Sequence, residues 1–397
     1  MKPHSLLFLF LCIIHLSCNN DDDRNNEVTD TSILVNATAS ISSYSTLVTI
    51  DLESGNTITT QNDQLLTNLT YEDSFIGLFP DRLVRSTTTD LTGEQIWEIF
   101  PGIETGLDLN FDSSQLAIQG DTIYLTFRAT DPGLPSPSYI IMAINAINGD
   151  TIWTESQLDN QFKRIAILND RIITVEGPQG FEIIVSRNLS DGSILNTWNL
   201  EERVSHIVSG TNEVIVMSWS NAVYSIKEDL TLNWTFSTSG SNVQRGTIVG
   251  NQFFFHSRDE NIYAVHLPTG DLNWSQAFPD LFIRQFFNEG TSIWSVTQSF
   301  NTNTFNINEL DSSTGTIGSN FNAPLPIPVD DVDEIEILPF SDYLLILTGR
   351  SADNTITDFY NYKTQEMIWQ NEVGLSNIFT IKANILLGDN RYAPTSF

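Results

Sequence analysis

Cysteine is nearly absent: Cys12 and Cys18 stand near the N-terminus, and the rest of the 397-residue chain has none. That excludes a disulfide framework or a cysteine-based metal site in the body of the protein. Basic residues are scarce as well, 18 Lys and Arg against 49 Asp and Glu, for a formal net charge of −31. A protein that tracks nucleic-acid phosphates or anionic lipid through a basic patch is therefore excluded, and no nucleic-acid partner is expected. Charged residues make up only 17% of the chain, below the roughly 25% usual in soluble domains, so Asn, Ser and Thr fill a surface suited to export. No GxxxxGK phosphate cradle occurs. What is present, 40% hydrophobic and 11% aromatic residues, is ample for a packed core.

Residues 1–17 read as an export signal. Lys2 supplies a basic end, and Leu6 to Ile14 form an apolar run too short to span a bilayer as a mature helix. The run ends in His15-Leu16-Ser17-Cys18, which resembles the lipobox of bacterial lipoproteins, with His15 in place of the usual aliphatic residue. The resemblance implies a lipidated Cys18 as the mature N-terminus; the other reading is an ordinary signal peptide followed by a free thiol. Residues 18–31 include Asn19-Asn20-Asp21-Asp22-Asp23, a solvated acidic tether. The run resembles the surface-export signal of some lipoproteins, and it also fits a plain linker beneath a periplasm-facing membrane. The expected address is the bacterial outer membrane, lipid-anchored, with exposure at the cell surface as one of two orientations.

Residues 32–397 are expected to form one repeat domain. Short runs rich in Ile, Val, Leu, Phe, Tyr and Thr are broken every several residues by Asn, Asp, Gly and Ser, and no segment sustains a helical period. The clearest units are AVHLPTGDLNW, ending at Trp274, and AINAINGDTIW, ending at Trp153; others end at Trp97, Trp234 and Trp369. In each, the tryptophan follows by four residues a slot filled by Gly270, Gly149, Gly93, Leu230 or Gln365. Weaker copies lie at Gly55, at Gly192 with Trp198 two residues late, and at Gly315 without a tryptophan. These eight copies recur every ~44 residues, the period of a four-stranded propeller blade. The sixth interval, for example, divides into RGTIVG, NQFFFHS, NIYAVHL and DLNWSQA, separated by turn signals.

The expected fold is all-β, an eight-bladed β-propeller of four-stranded antiparallel blades. Seven blades is the alternative, because the Gly55 copy is weak. The first repeat is short of strands, so the C-terminal tail Ile378 to Asn390 is expected to supply two more and close the ring. In this arrangement the Gly permits a positive φ in the turn. The tryptophan docks across the blade interface, with its N–H on a backbone partner.

The unit A-x-x-x-x-T-G-x-x-x-W resembles the repeat of the pyrroloquinoline-quinone (PQQ)-like β-propellers. With a lipid anchor and eight blades, the chain is similar in kind to BamB, a lipoprotein subunit of the outer-membrane β-barrel assembly machinery. The resemblance covers nearly all of the mature chain and implies envelope proteins as partners. Quinoprotein dehydrogenases of this repeat type need a vicinal disulfide, a bound Ca²⁺ and an aspartate base. With Cys18 the sole cysteine after processing, that disulfide cannot form, and no cofactor is expected.

Other chemistry is thinly provided for. The mature chain has three histidines, His206, His256 and His266. His256 and His266 fall on adjacent strands and could approach each other, but no third ligand lies nearby in sequence and no metal is expected there. The run Asp330 to Glu336 offers hard oxygen ligands suited to Ca²⁺, yet lacks a Gly-punctuated calcium loop and reads as a solvated loop leading into a strand. Carboxylate pairs for glycoside hydrolysis remain open, since 49 acidic residues allow many pairings.

Two proline-rich insertions, Thr130 to Ser138 and Ala323 to Pro328, can hold Leu134, Leu325 and Ile327 toward a partner, or can serve as spacers covering blade edges. The combined expectation is a monomeric, lipid-anchored envelope propeller that binds protein partners and is not an enzyme. The alternative is an envelope enzyme with a site in the axial funnel, either a degenerate quinoprotein or a carbohydrate-active protein.

Overall fold

The computed structural model describes residues 34 and 37–386 apart from 43–46, 62–64, 73, 88–93, 102–107, 131–137, 159–160, 179, 280, 290–291, 300–301, 303, 325–333, 350–354 and 374–381. Within them, 32 strands sort into eight four-stranded sheets. Seven sheets use four consecutive strands each, over 67–99, 108–158, 162–199, 204–237, 244–277, 281–324 and 334–373. These are blades 2 to 8. Blade 1 combines three N-terminal strands, Thr38–Ser42, Leu47–Asp51 and Thr57–Gln61, with Lys382–Leu386 from the C-terminal end. The chain is an eight-bladed β-propeller, and the weak Gly55 copy is the turn of a complete blade.

Closure differs in one respect from the expectation of two tail strands. One tail strand is described, because the N-terminal side already supplies three. Lys382–Leu386 pairs antiparallel with Thr38–Ser42 in the register Thr38↔Leu386 to Ser42↔Lys382. It takes the innermost place, beside the inner strand of blade 8. Residues 387–390 lie outside the described residues.

Successive inner strands adjoin one another around the axis. Each blade is apolar on both faces, so the core is divided among the interfaces rather than gathered in one centre. Ile173 and Val175 of blade 4, for instance, pack with Val214 and Val216 of blade 5, and Ile215 and Met217 on the opposite face of blade 5 pack with Phe253 and Phe255 of blade 6. Because strands alternate in direction, the ring has two distinct ends. At one end the inner strands begin, and the second strand of each blade turns into the third. At the other lie the turns from third to outermost strand, which carry the Gly slots.

Every outermost strand has a register shift against its neighbour just ahead of the tryptophan position, as at Ala143/Ile144 in blade 3 and Ala264/Val265 in blade 6. Such bulges twist a free edge away from regular pairing. In five blades the extra residue of the bulge is an exposed aliphatic, Ile58, Ile96, Ile152, Leu195 or Ile368.

Candidate functional site

The tryptophans of the repeat join neighbouring blades. Trp97, Trp153, Trp234, Trp274 and Trp369 donate Nε1–H to the carbonyls of Ala146, Leu189, Leu267, Ser312 and Leu52, each in the following blade, at 2.6–3.1 Å. Each indole lies against the slot glycine of that next turn. A Cβ added at Gly192, Gly270, Gly315 or Gly55 would stand 2.5–2.7 Å from the ring, and at Gly149 3.2 Å. Every described slot has positive φ, 75° at Gly270 but also 66° at Leu230 and 63° at Gln365. Backbone geometry alone therefore does not demand glycine; the indole does. Leu230 and Gln365 occupy slots that no tryptophan enters. The outermost strand of blade 7, Ile317–Pro324, has none, and in blade 4 the late Trp198 packs edge-on against Tyr224 at 5.5 Å while Leu230 fills the space. Gly93 lies outside the described residues.

Other residues singled out in the sequence are not brought together. Cys18, Leu134, Leu325, Ile327 and residues 330–333 lie outside the described residues. His256 pairs with Ile262 and His266 with Gln252, at opposite ends of one hairpin, about 13 Å apart along the strands. The approach that adjacent strands would allow these histidines does not occur. His256 packs on Phe286, and His266 Nδ1 contacts Thr269 Oγ1 at 3.0 Å. Among the described residues, no three His, Cys, Asp or Glu side chains are grouped to hold a metal ion. No helix among them is long and apolar enough to cross a membrane.

The motif gave no hint of the chemistry at the end where the inner strands begin. In blades 4, 5, 6 and 7 the inner strand bulges near its start, leaving Lys163, Ser205, Arg245 and Arg284 as the extra residues. These positions recur at roughly forty-residue spacing, a signal visible once the blades are aligned. Arg164, beside the first bulge, donates Nη1 to Lys163 O and Nη2 across the interface to Ser205 O, at 2.9 and 3.3 Å. Ser205 Oγ continues the chain to Val243 O, just ahead of blade 6, at 2.5 Å. Burial holds the Arg164 guanidinium below its usual pKa. Its Nε is buried without a partner. Arg284 donates to Gln298 Oε1, a neutral acceptor.

On the same end, Gly177 to Glu182 join the second and third strands of blade 4, and Gly177 N donates to Gln161 O, next to the inner strand, at 3.0 Å. Buried Glu182 pins this loop: Oε1 takes Lys163 Nζ at 2.6 Å and Oε2 takes Gly180 N at 2.8 Å. Phe181, between them, is 74% exposed. The turn residues Gly-Pro-Gln-Gly ahead of an aromatic are its signature in the sequence.

Two buried carboxylates lie elsewhere in the interfaces. Glu176 Oε1 receives Nε and Nη2 of Arg187 at 3.0 and 2.9 Å and the hydroxyl of Thr174 at 2.5 Å, so its charge is matched. Asp358 in blade 8 has only Gln370 Nε2 on Oδ1 at 2.6 Å, and Oδ2 has no partner. Burial pushes its pKa up to about 6 against the pull of that bond.

No curated protein matches the chain in sequence. The profile of the family described as outer membrane protein assembly factor BamB matches residues 140–317. Among solved structures, BamB from Moraxella catarrhalis is similar over 87% of this chain and 96% of its own, with a TM-score of 0.55 and 11% identity. Apo AztD from Citrobacter koseri is similar over 91% and 99%, with a TM-score of 0.54 and 10% identity. The dihydro-heme d1 dehydrogenase NirN in complex with DHE is similar over 87% and 74%, with a TM-score of 0.60 and 10% identity. At these identities the likeness is one of fold. Repeat motif, blade count and profile match converge: the chain is an eight-bladed β-propeller that resembles the PQQ-like propellers and is similar to BamB.

Proposed function

We infer that the chain is a lipid-anchored, non-catalytic propeller of the bacterial outer membrane that binds and positions other envelope proteins. In this reading acylated Cys18 is the mature N-terminus, residues 18–31 are a tether, and residues 32–397 act as a monomeric binding domain. The observation that carries it is the match of residues 140–317 to a family described as an outer membrane protein assembly factor. The form of the N-terminal segment and the commitment of strand side chains to interblade packing support it, since binding then falls to loops that vary in shape without disturbing the ring. Leu134, Leu325 and Ile327 are proposed as apolar anchors within those loops. The competing reading, an axial-funnel enzyme, draws on the fold likeness to dehydrogenases such as NirN.

The test is recovery of cross-linked partners from membranes carrying the full-length lipidated chain. Proteins of the outer-membrane β-barrel assembly machinery should be recovered, and Leu325→Ser with Ile327→Ser should reduce that recovery in a folded protein. Absence of any such partner, or substrate turnover by the pure chain, would overturn the reading.

A further inference from the structure

The outermost strand of blade 7 has no tryptophan, so the interface between blades 7 and 8 lacks the indole latch. The side chains that meet across it follow from strand alternation. Val296 of blade 7 and Ile346 and Tyr360 of blade 8 share one core cluster. Gln298 lies two residues beyond Val296, Thr348 two beyond Ile346 and Asp358 two before Tyr360, so all three face this interface as well. Gln298, Thr348, Asp358 and Tyr360 are each no more than 3% exposed. Yet among the described residues Gln298 Nε2, Thr348 Oγ1, Asp358 Oδ2 and the Tyr360 hydroxyl have no hydrogen-bond partner. Leaving one buried polar group unpaired is costly, and four on one interface multiply that cost.

Strand register sets the spacing of these groups. Ile346 pairs with Asp358 and Leu344 with Tyr360. Thr348 therefore stands diagonal to Asp358, about 7–8 Å away between Cα atoms, and Tyr360 stands about 7 Å from Asp358 along the same strand. Burial, and then the charge of Asp358, hold the Tyr360 hydroxyl above its usual pKa, which marks the two as electrostatic neighbours. The groups do not bond one another, and spacings of this size suit a small molecule that bridges them. Their chemistry is complementary: an amide N–H donates, a carboxylate accepts, and two hydroxyls do either. Gln298 offers an N–H rather than its carbonyl, which Arg284 already takes, and an N–H disfavours a metal cation. Water, with two donors and two acceptors in the smallest volume, matches the set.

We propose that the interface of blades 7 and 8 is a site for ordered water bridging Thr348, Asp358 and Tyr360, with Gln298 closing the group from blade 7. The bridge supplies between these two blades the polar contact that an indole N–H supplies between latched ones. The proposal concerns the ring itself and is independent of what the domain binds.

The test is the sign of two near-isosteric substitutions in the full chain, Tyr360→Phe and Thr348→Val, read by urea unfolding. With water in place, each removes a hydrogen bond that is made and should lower the ratio of folded to unfolded protein about fivefold. The double variant should lose less than the two single losses combined, because both groups share one bridge. In a dry interface each substitution removes an orphaned group instead, so variants as stable as the native chain, or more stable, would overturn the proposal. A crystal structure should show water oxygens about 2.5–3.0 Å from Asp358 Oδ2 and from the Tyr360 hydroxyl. Direct bonds among Thr348, Asp358 and Tyr360, with no water between them, would count against it. So would a melting temperature that rises with sodium or potassium at constant ionic strength in the native chain but not in Asp358→Asn, which would put a cation in that place.

Discussion

Trp369 donates its indole N–H to the carbonyl of Leu52 at 2.8 Å, joining residues 317 apart in the chain. The same bond made between neighbouring blades elsewhere here joins the last blade to the first. With the register between Thr38–Ser42 and Lys382–Leu386, it gives the ring two independent fastenings.

Deleting residues from 378 onward removes the innermost strand of blade 1 and bares the edge of Thr38–Ser42. The expected outcome is aggregation, or a melting temperature lowered by many degrees in calorimetry. A truncated chain that melts like the full one would show that the terminal strand contributes little.

The slot position separates two demands that glycine usually meets together. Gly270→Ala places a methyl 2.6 Å from the Trp234 ring and should destabilise by about 1–3 kcal/mol. Gln365→Gly relieves a positive φ of 63° at an exposed site and should stabilise by about 0.5–1 kcal/mol. In a double-mutant cycle, truncating Trp234 should remove most of the cost of Gly270→Ala, read by denaturant unfolding.

Asp358 is expected to make stability depend on pH. Its folded pKa of about 6 exceeds the unfolded value of 3.8, so between about pH 4 and pH 6 the folded state keeps a proton that the unfolded state has lost. Stability therefore falls as pH rises through that window, and the penalty is complete above it. Asp358→Asn should raise stability at pH 7.5 by on the order of 1–3 kcal/mol, read as a higher melting temperature, with the difference closing at pH 4. A gap that is constant across pH would place the effect elsewhere.

Cys18→Ala should move the protein from the membrane fraction to the soluble one, since several acyl chains anchor stably where none would. Palmitate labelling unchanged in the variant would remove Cys18 from the account.

The blade pattern was legible because the latch requires a strict spacing. An indole that must reach the next turn fixes its distance from the preceding slot, so Gly149 and Trp153, or Gly270 and Trp274, mark the period by themselves. The copies that looked weak, at Gly55, Gly192 and Gly315, mark real blades whose outgoing latch is displaced or missing. The inner strands carry no comparable constraint. They face an axis rather than a turn, so Arg164 and its neighbours lie in runs with no motif, and Phe181 is conspicuous only once its exposure is known. His256 and His266 could have met from adjacent strands, but adjacent strands do not imply adjacent residues, and this hairpin register sets them at opposite ends.

The place of Thr38–Ser42 within blade 1 also has a mechanical meaning. A pull on the chain from the N-terminal side enters this strand first, and it is hydrogen-bonded along both edges, to Leu47–Asp51 and to Lys382–Leu386. It cannot be peeled like a free edge; both ladders must give way together. The load then passes through the closing strand and the Trp369 bond into blade 8, so tension on a tether is shared by the two ends of the ring.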